Sequence, residues 1–399
     1  MKALKPISAI IRCELFMSKS SRRDFIKVAA TGALGLALGG AAGNTLATQS
    51  FGGEKAKLQS QIDELQKKVG RSYSGTAKVY NWSEYIAEGL LDTFKDEYGV
   101  DVVYDTFESM DEARSKIFVG NSGYDVVVLT DYVIPDAVTG GFIQPLNYDN
   151  IPNFRHVDDK FKNPPYDPGN KFILPYMWGT TGLAYNSKEV AEGVTGWSNA
   201  FDVSFLKKYS KKVTMLSEAR ELIGAALKYT GHSLNSVNDA ELQDAKQALL
   251  KQKPYLAKYA DATDYIPGLA GGQFLISHVF NGDAYVAKVD NPDLKYVIPK
   301  EGATLWTDNM TIAKGAPNKD AGEAFINYIL TPEVDALITN FRNYANPNKD
   351  ASSLVLPTIA SDPGIYPPAD VLAKLEVERS FTADEKAKWD KIFTEVTSA

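Results

Sequence analysis

From Ala77 onward the sequence alternates between two periods, and that alternation limits the folds open to it. AKVYNW (77–82) reads as a strand and AEGLLDTFKDEYG (87–99) as an amphipathic helix closed by Gly99. VDVVYDTF (100–107) is again a strand, MDEARSKIFVG (110–120) a helix and YDVVVLT (124–130) an apolar strand. Alternation of this kind builds a mostly parallel sheet with helices on its faces. Ligands of such sheets sit beyond the carboxyl ends of the strands, which is where residues 81–85 and 130–132 fall.

Two long extended runs interrupt the pattern. NPPYDPGNKFILPYMWGTTGLAYN (163–186) opens as a Pro/Gly-rich loop and continues as a β-rich run, and TLWTDNMTIAKG (304–315) is a second such run. ELQDAKQALLKQKPYL (241–256) and KDAGEAFINYIL (319–330) supply further helices. Two domains joined by two extended crossings account for the length. They leave Asp308 at the seam, with Trp306 on the same face of its strand. A carboxylate inside an apolar strand is costly unless a cation meets it.

Charge and residue counts narrow the chemistry. The chain has 43 Lys and Arg against 50 Asp and Glu, and 11 of the basic groups but only 5 of the acidic ones lie within residues 1–70. The body is therefore the acidic part, which argues against nucleic acid and suits a cationic ligand. His156, His232 and His278 are far apart, and Cys13 is the single cysteine. No metal-ligand spacing or disulfide follows from them, and no G-x-S-x-G elbow occurs. No cofactor, metal or catalytic role is expected.

The first 75 residues read as an address and a spacer. SRRDFIK (21–27) precedes the uncharged run 28–43, the pattern of a twin-arginine export signal. Residues 1–47 are assigned to it, with Met17 as an alternative start and an anchor as the outcome if the signal is left uncut. Leu58, Ile62, Leu65 and Val69 form a two-heptad apolar seam. Residues 48–75 are expected as an amphipathic linker helix, with self-association through 54–70 as the alternative and a monomeric body beyond it.

Several motifs now stand in one order: VYNWSEYIAEGLLDTF, YDVVVLTDY, LPYMWGTTGLAYN, VFNGDAYVA and LWTD. In that order the chain resembles the periplasmic spermidine/putrescine receptors of ABC importers, over roughly residues 76–395. The resemblance implies a two-lobed α/β periplasmic binding protein fold, with mostly parallel central sheets hinged by crossing strands. Residues 76–184 and 305–350 would form one lobe, and 185–304 and 351–399 the other. It further implies a periplasmic carrier that closes on a polyamine, delivers it to an inner-membrane ABC permease and performs no catalysis.

Residue by residue, the resemblance places Trp82, Glu84 and Tyr85 in the cleft, with Thr130 where serine is usual, and Tyr132. Glu218 and Glu221 match two acids three apart. Phe280 stands where tryptophan is common, and Asp283 matches an aspartate of putrescine receptors. Trp306 and Asp308 match an aromatic-x-Asp motif, and Tyr344 a channel tyrosine. The C-terminal contact is not carried over to Glu378 or Arg379, where the match is poor.

Physical chemistry favours the same residues. A polyamine needs carboxylates for its ammonium groups, and aromatic faces for heads and stems. Without a cation the acids repel one another, so ligand favours closure. Plainer roles exist for each: helix capping for Glu218 and Glu221, core packing for Trp82 and Trp306, a turn for Asp283 or Tyr344. Asp283 leans toward a short diamine, whereas Glu218 with Glu221 also suits a triamine. The alternatives are a receptor for another small cationic solute, a hydrolase using two of the carboxylates, or a sensor or adhesin with a protein partner.

Overall fold

The computed structural model describes residues 73–399. The export signal, Met17, Cys13 and the 54–70 seam lie outside the described residues. Residues 75–95 and 100–399 group into one compact unit, and the elements below belong to it apart from residues 96–98 at the end of the first helix.

Ten strands are present among the described residues: β1 (Thr76–Trp82), β2 (Asp101–Phe107), β3 (Val126–Thr130), β4 (Ile143–Gln144), β5 (Ile173–Asn186), β6 (Val213–Leu216), β7 (Leu256–Ala260), β8 (Ile276–Phe280), β9 (Leu294–Val297) and β10 (Leu305–Ala313). They run in the order β2-β1-β3-β10-β5-β8-β6-β7, with β4 on β10 and β9 on β5. Parallel pairing holds on both flanks, β2-β1-β3 on one side and β8-β6-β7 on the other. The two long runs, β5 and β10, pair antiparallel to each other and to their neighbours.

The fourteen residues of β5 explain how one chain serves two sheets. Ile173 to Thr180 pair with β10, and Thr181 to Tyr185 pair with β8. All fourteen are buried, which is why the run reads as continuously apolar instead of alternating. Partner exchange between Thr180 and Thr181 makes this the point where the two halves meet.

Each half has its own core. On the β1 side, Tyr80, Phe107, Leu129 and Ile134 pack together, and helix α1 (Leu90–Tyr98) sets Phe94 against Phe325 and Tyr328. Helix α2 (Met110–Ile117) is capped by Ser109, whose side chain accepts from the Glu112 N–H. On the β6 side, helix α3 (Ala219–Tyr229) buries Leu222, Ile223 and Leu227 with Trp197. Helix α4 (Asp239–Gln252) ends earlier than its periodicity suggests, because Lys253, Pro254 and Tyr255 form a 3₁₀ turn that leads into β7. Helices α5 (Asn281–Asp290), α6 (Lys319–Ile329), α7 (Pro332–Arg342) and α8 (Ala383–Ser398) complete the elements used below.

The segment 351–399, expected as one piece, divides. Ala351, Val355, Ile359 and Ile365 pack on Trp178 and Ala336, whereas Trp389, Ile392 and Val396 of α8 enter the core beside α3. Between them the chain returns to the crossing, where Glu376 bridges Thr304.

Gly302 sits just before that bridge with φ +95°, and a Cβ there would collide with the Lys374 carbonyl. Gly302→Ala is expected to lower stability by about 1–3 kcal/mol from backbone strain alone, more with the collision, read by urea denaturation. An unchanged midpoint would contradict the assigned geometry.

Candidate functional site

Asp308 is the centre of the site. It lies in the middle of β10 opposite Thr130 of β3, beside a register shift against β5. Its side chain is 2% exposed. Thr130 donates its hydroxyl to Oδ1 at 2.6 Å and Tyr85 to Oδ2 at 3.1 Å. The Trp82 indole N–H approaches the same carboxylate without reaching hydrogen-bond geometry. Burial pushes the Asp308 pKa up to about 6, against the pull of these donors. Every partner is neutral, and no ion pair to Asp308 is formed among the described residues.

Rings surround it. Trp82 and Tyr85 stand 6.2 Å apart, Tyr85 and Tyr344 5.9 Å, Trp306 and Tyr344 5.0 Å, and Phe280 and Trp306 6.1 Å. Gly179 allows this packing, since a Cβ there would run into the Trp306 ring. The indole nitrogens of Trp82 and Trp306 are buried without acceptors among the described residues. Of the six rings expected as the wall, Trp82, Tyr85, Tyr344, Trp306 and Phe280 stand in one continuous series, whereas the sixth, Tyr132, lies against Arg220.

A second group of acids collects at the start of α3. Glu218 is its N-cap residue, yet its side chain caps nothing, so the capping role does not apply. It is partly buried, and burial followed by the charge of Glu378 raises its pKa to about 7. Glu221, one turn into the helix, accepts from Thr181 Oγ1 at 2.8 Å and Thr304 Oγ1 at 3.1 Å. It therefore holds a hydroxyl from each crossing segment. Burial, then Glu378 and Glu218, raise its pKa well above the ordinary range. His278 Nε2 lies 3.9 Å from Glu221, but burial lowers the imidazole pKa to about 3. The histidine stays neutral, so this contact is no ion pair.

Glu378, to which the sequence reading did not carry over the C-terminal contact, joins this group of acids. It is 7% exposed, and its charge acts on Glu218, Glu221, Asp131 and Tyr132. Arg220 Nε lies 3.3 Å from it. The same guanidinium is 5.4 Å from the Tyr132 ring and 3.8 Å from that of Phe381, so Tyr132 already carries a cation on its face. Asp131 is wholly buried and accepts from the N–H groups of Tyr132 and Thr307, tying the end of β3 to β10.

Two expected residues are placed otherwise. Glu84 is exposed on left-handed backbone, φ +61°, and its side chain makes no hydrogen bond or ion pair among the described residues, so it does not join the acids. Asp283, in the first turn of α5, already has a cation: Arg342 Nη2 is 2.6 Å from Oδ1, with the hydroxyls of Tyr344, at 3.2 Å, and Tyr265 donating alongside. The expectation that each acid waits for an external amine fails at Asp283.

Comparisons with known proteins agree with this architecture. Residues 89–367 match the family of bacterial extracellular solute-binding proteins. The chain is 36% identical to a putrescine/agmatine-binding protein of Pseudomonas aeruginosa, over 74% of this chain and 85% of that one. It is 35% identical to a putrescine-binding periplasmic protein of Escherichia coli, over 75% and 85%. Among solved structures, a spermidine/putrescine ABC transporter substrate-binding protein of Streptococcus pneumoniae superposes with a TM-score of 0.73 at 31% identity, covering 82% of this chain and 99% of the other.

Proposed function

The chain belongs to the bacterial extracellular solute-binding proteins, and from that membership we propose that it captures a linear polyamine of the putrescine–spermidine class and delivers it to an ABC importer. The observation that carries the proposal is Asp308: a buried carboxylate held only by hydroxyls, inside a ring of aromatic faces. Such a group is completed by an ammonium, which supplies the missing charge. The methylene stem then lies on the rings of Trp82, Tyr85, Trp306 and Tyr344. Each desolvated cation–π contact adds on the order of 0.5–2 kcal/mol. Glu218 and Glu221 take the second ammonium, with Thr130, Tyr132 and Phe280 shaping the walls.

Charge supplies the closing force. Glu218 and Glu221 come from α3, whereas Asp308 and Asp131 belong to the β3–β10 side, so a bound amine attracts both halves at once. The change of partners along β5 provides the crossing about which they move. Delivery places the protein outside the cytoplasm, and residues 21–43 have the pattern of a signal that would take it there. Among the described residues no helix is long and apolar enough to cross a membrane.

Calorimetric titration of the purified protein with putrescine, cadaverine, agmatine and spermidine tests this. At least one is expected to bind with a Kd below about 10 μM, equivalent to about −7 kcal/mol. No heat from any of them at millimolar concentration would reject it.

A further inference from the structure

Asp283 is an acid in the ring-lined slot whose cation comes from the chain itself. Its partner is Arg342, the last residue of α7. The two side chains are 4% and 10% exposed. The guanidinium carbon lies 5.2 Å from the centre of the Tyr344 ring and 5.7 Å from that of Tyr85. These are the rings that connect Asp283 to Asp308: Tyr344 donates to the first and Tyr85 to the second.

Local backbone explains how the arginine gets there. Asn343 adopts φ +60°, turning the chain so that Arg342 and Tyr344 both reach Asp283. Gly282 lets the Tyr344 ring lie on the start of α5, where any Cβ would meet that ring. Arg342 Nε is buried without an acceptor among the described residues. Its head group is held by one carboxylate and two ring faces, which are the contacts an alkylammonium would use.

Resting on the polyamine reading above, we infer that Arg342 is a specificity-determining residue: a tethered guanidinium that fills the Asp283 end of the slot and confines the ligand to the Asp308–Glu218 end. A diamine satisfies the acids that remain. A third ammonium finds no unpaired carboxylate beyond Tyr85, so length selection is set by a charge already present in the protein. Removing the arginine exposes Asp283 as a new cation site at the end of the same aromatic wall.

The test is calorimetric titration of the full chain and of Arg342→Met with putrescine and spermidine. The ratio of spermidine to putrescine affinity is expected to rise at least tenfold in the variant, because Asp283 then needs an ammonium. A smaller rise overturns the inference while leaving the polyamine reading intact, whereas a parent protein that binds neither amine rejects that reading itself. Should Arg342→Met fail to fold, Arg342→Gln, which keeps an N–H donor for Asp283 but removes the charge, is measured in its place. A tenfold or larger rise in the ratio supports the inference, and a smaller one overturns it.

Discussion

Asp308→Asn is expected to weaken putrescine binding about a hundredfold without unfolding the protein. The substitution keeps shape and one acceptor oxygen, so one of the hydroxyls of Thr130 and Tyr85 keeps its partner. What it removes is the charge that faces the ligand. Truncating one member of a desolvated, hydrogen-bonded charge pair costs about 2–5 kcal/mol, and about 1.4 kcal/mol is tenfold in Kd. The unliganded variant is expected to melt no lower than the parent, because burial already disfavours the Asp308 charge. The two readouts move differently, and that separates a ligand-binding role from a structural one. Equal amine affinity in the variant and parent would remove Asp308 from the site.

The second large effect is on pH. In the unliganded protein, burial raises the pKa of Asp308 to about 6 and that of Glu218 to about 7, with Glu221 and Glu378 also raised. An amine binds the ionised forms, so affinity falls as pH drops through this range and binding releases protons. At pH 5 the Asp308 term alone is about tenfold. Glu218 adds to it, softened by its partial exposure. Between pH 8 and pH 5 putrescine affinity is expected to fall at least thirtyfold, measured by titration in buffers of differing ionisation enthalpy.

Stability of the unliganded protein moves in the opposite direction. A carboxylate whose folded pKa is raised binds protons more tightly when folded, so its contribution grows as pH falls from above 7 toward the ordinary carboxylate range near 4. The unliganded Tm is therefore expected to rise between pH 8 and about 5.5. Surface acids such as the exposed Glu192 and the half-buried Glu385, with pKa values lowered to about 2 by their partners, reverse the trend only below about pH 4.5. A flat affinity profile from pH 8 to pH 5 would mean that these carboxylates do not meet the ligand.

Much of the candidate site was legible because its signals are local. Asp308 stood out as a charge within an apolar strand, and Thr130 and Tyr85 fell at strand ends where the pattern pointed. Trp306 and Asp308 share a face because strand periodicity is two. The elements from β1 to β3 appear within a few residues of where their periodicity placed them.

The residues that escaped depend on long-range contacts. In LEVERSF, alternation with Leu375 would bury Val377 and expose Glu378. The chain does the opposite, leaving Val377 43% exposed and Glu378 7% exposed, because Arg220 from a distant helix draws the carboxylate inward. Arg342 and Asp283 are 59 residues apart, and nothing in either neighbourhood signals the other. Glu84 sits within a matching motif, yet its left-handed backbone turns it toward solvent. Motif spacing fixes position along the chain but not which way a side chain faces.

The most direct measurement is a crystal structure of the protein grown with putrescine. One ammonium is expected within about 3 Å of Asp308, between Tyr85 and Trp306, with the second reaching the Glu218 and Glu221 side and Arg342 still on Asp283. An amine bound elsewhere, or Asp308 neutralised by a lysine or arginine of the chain in the liganded state, would contradict the central claim.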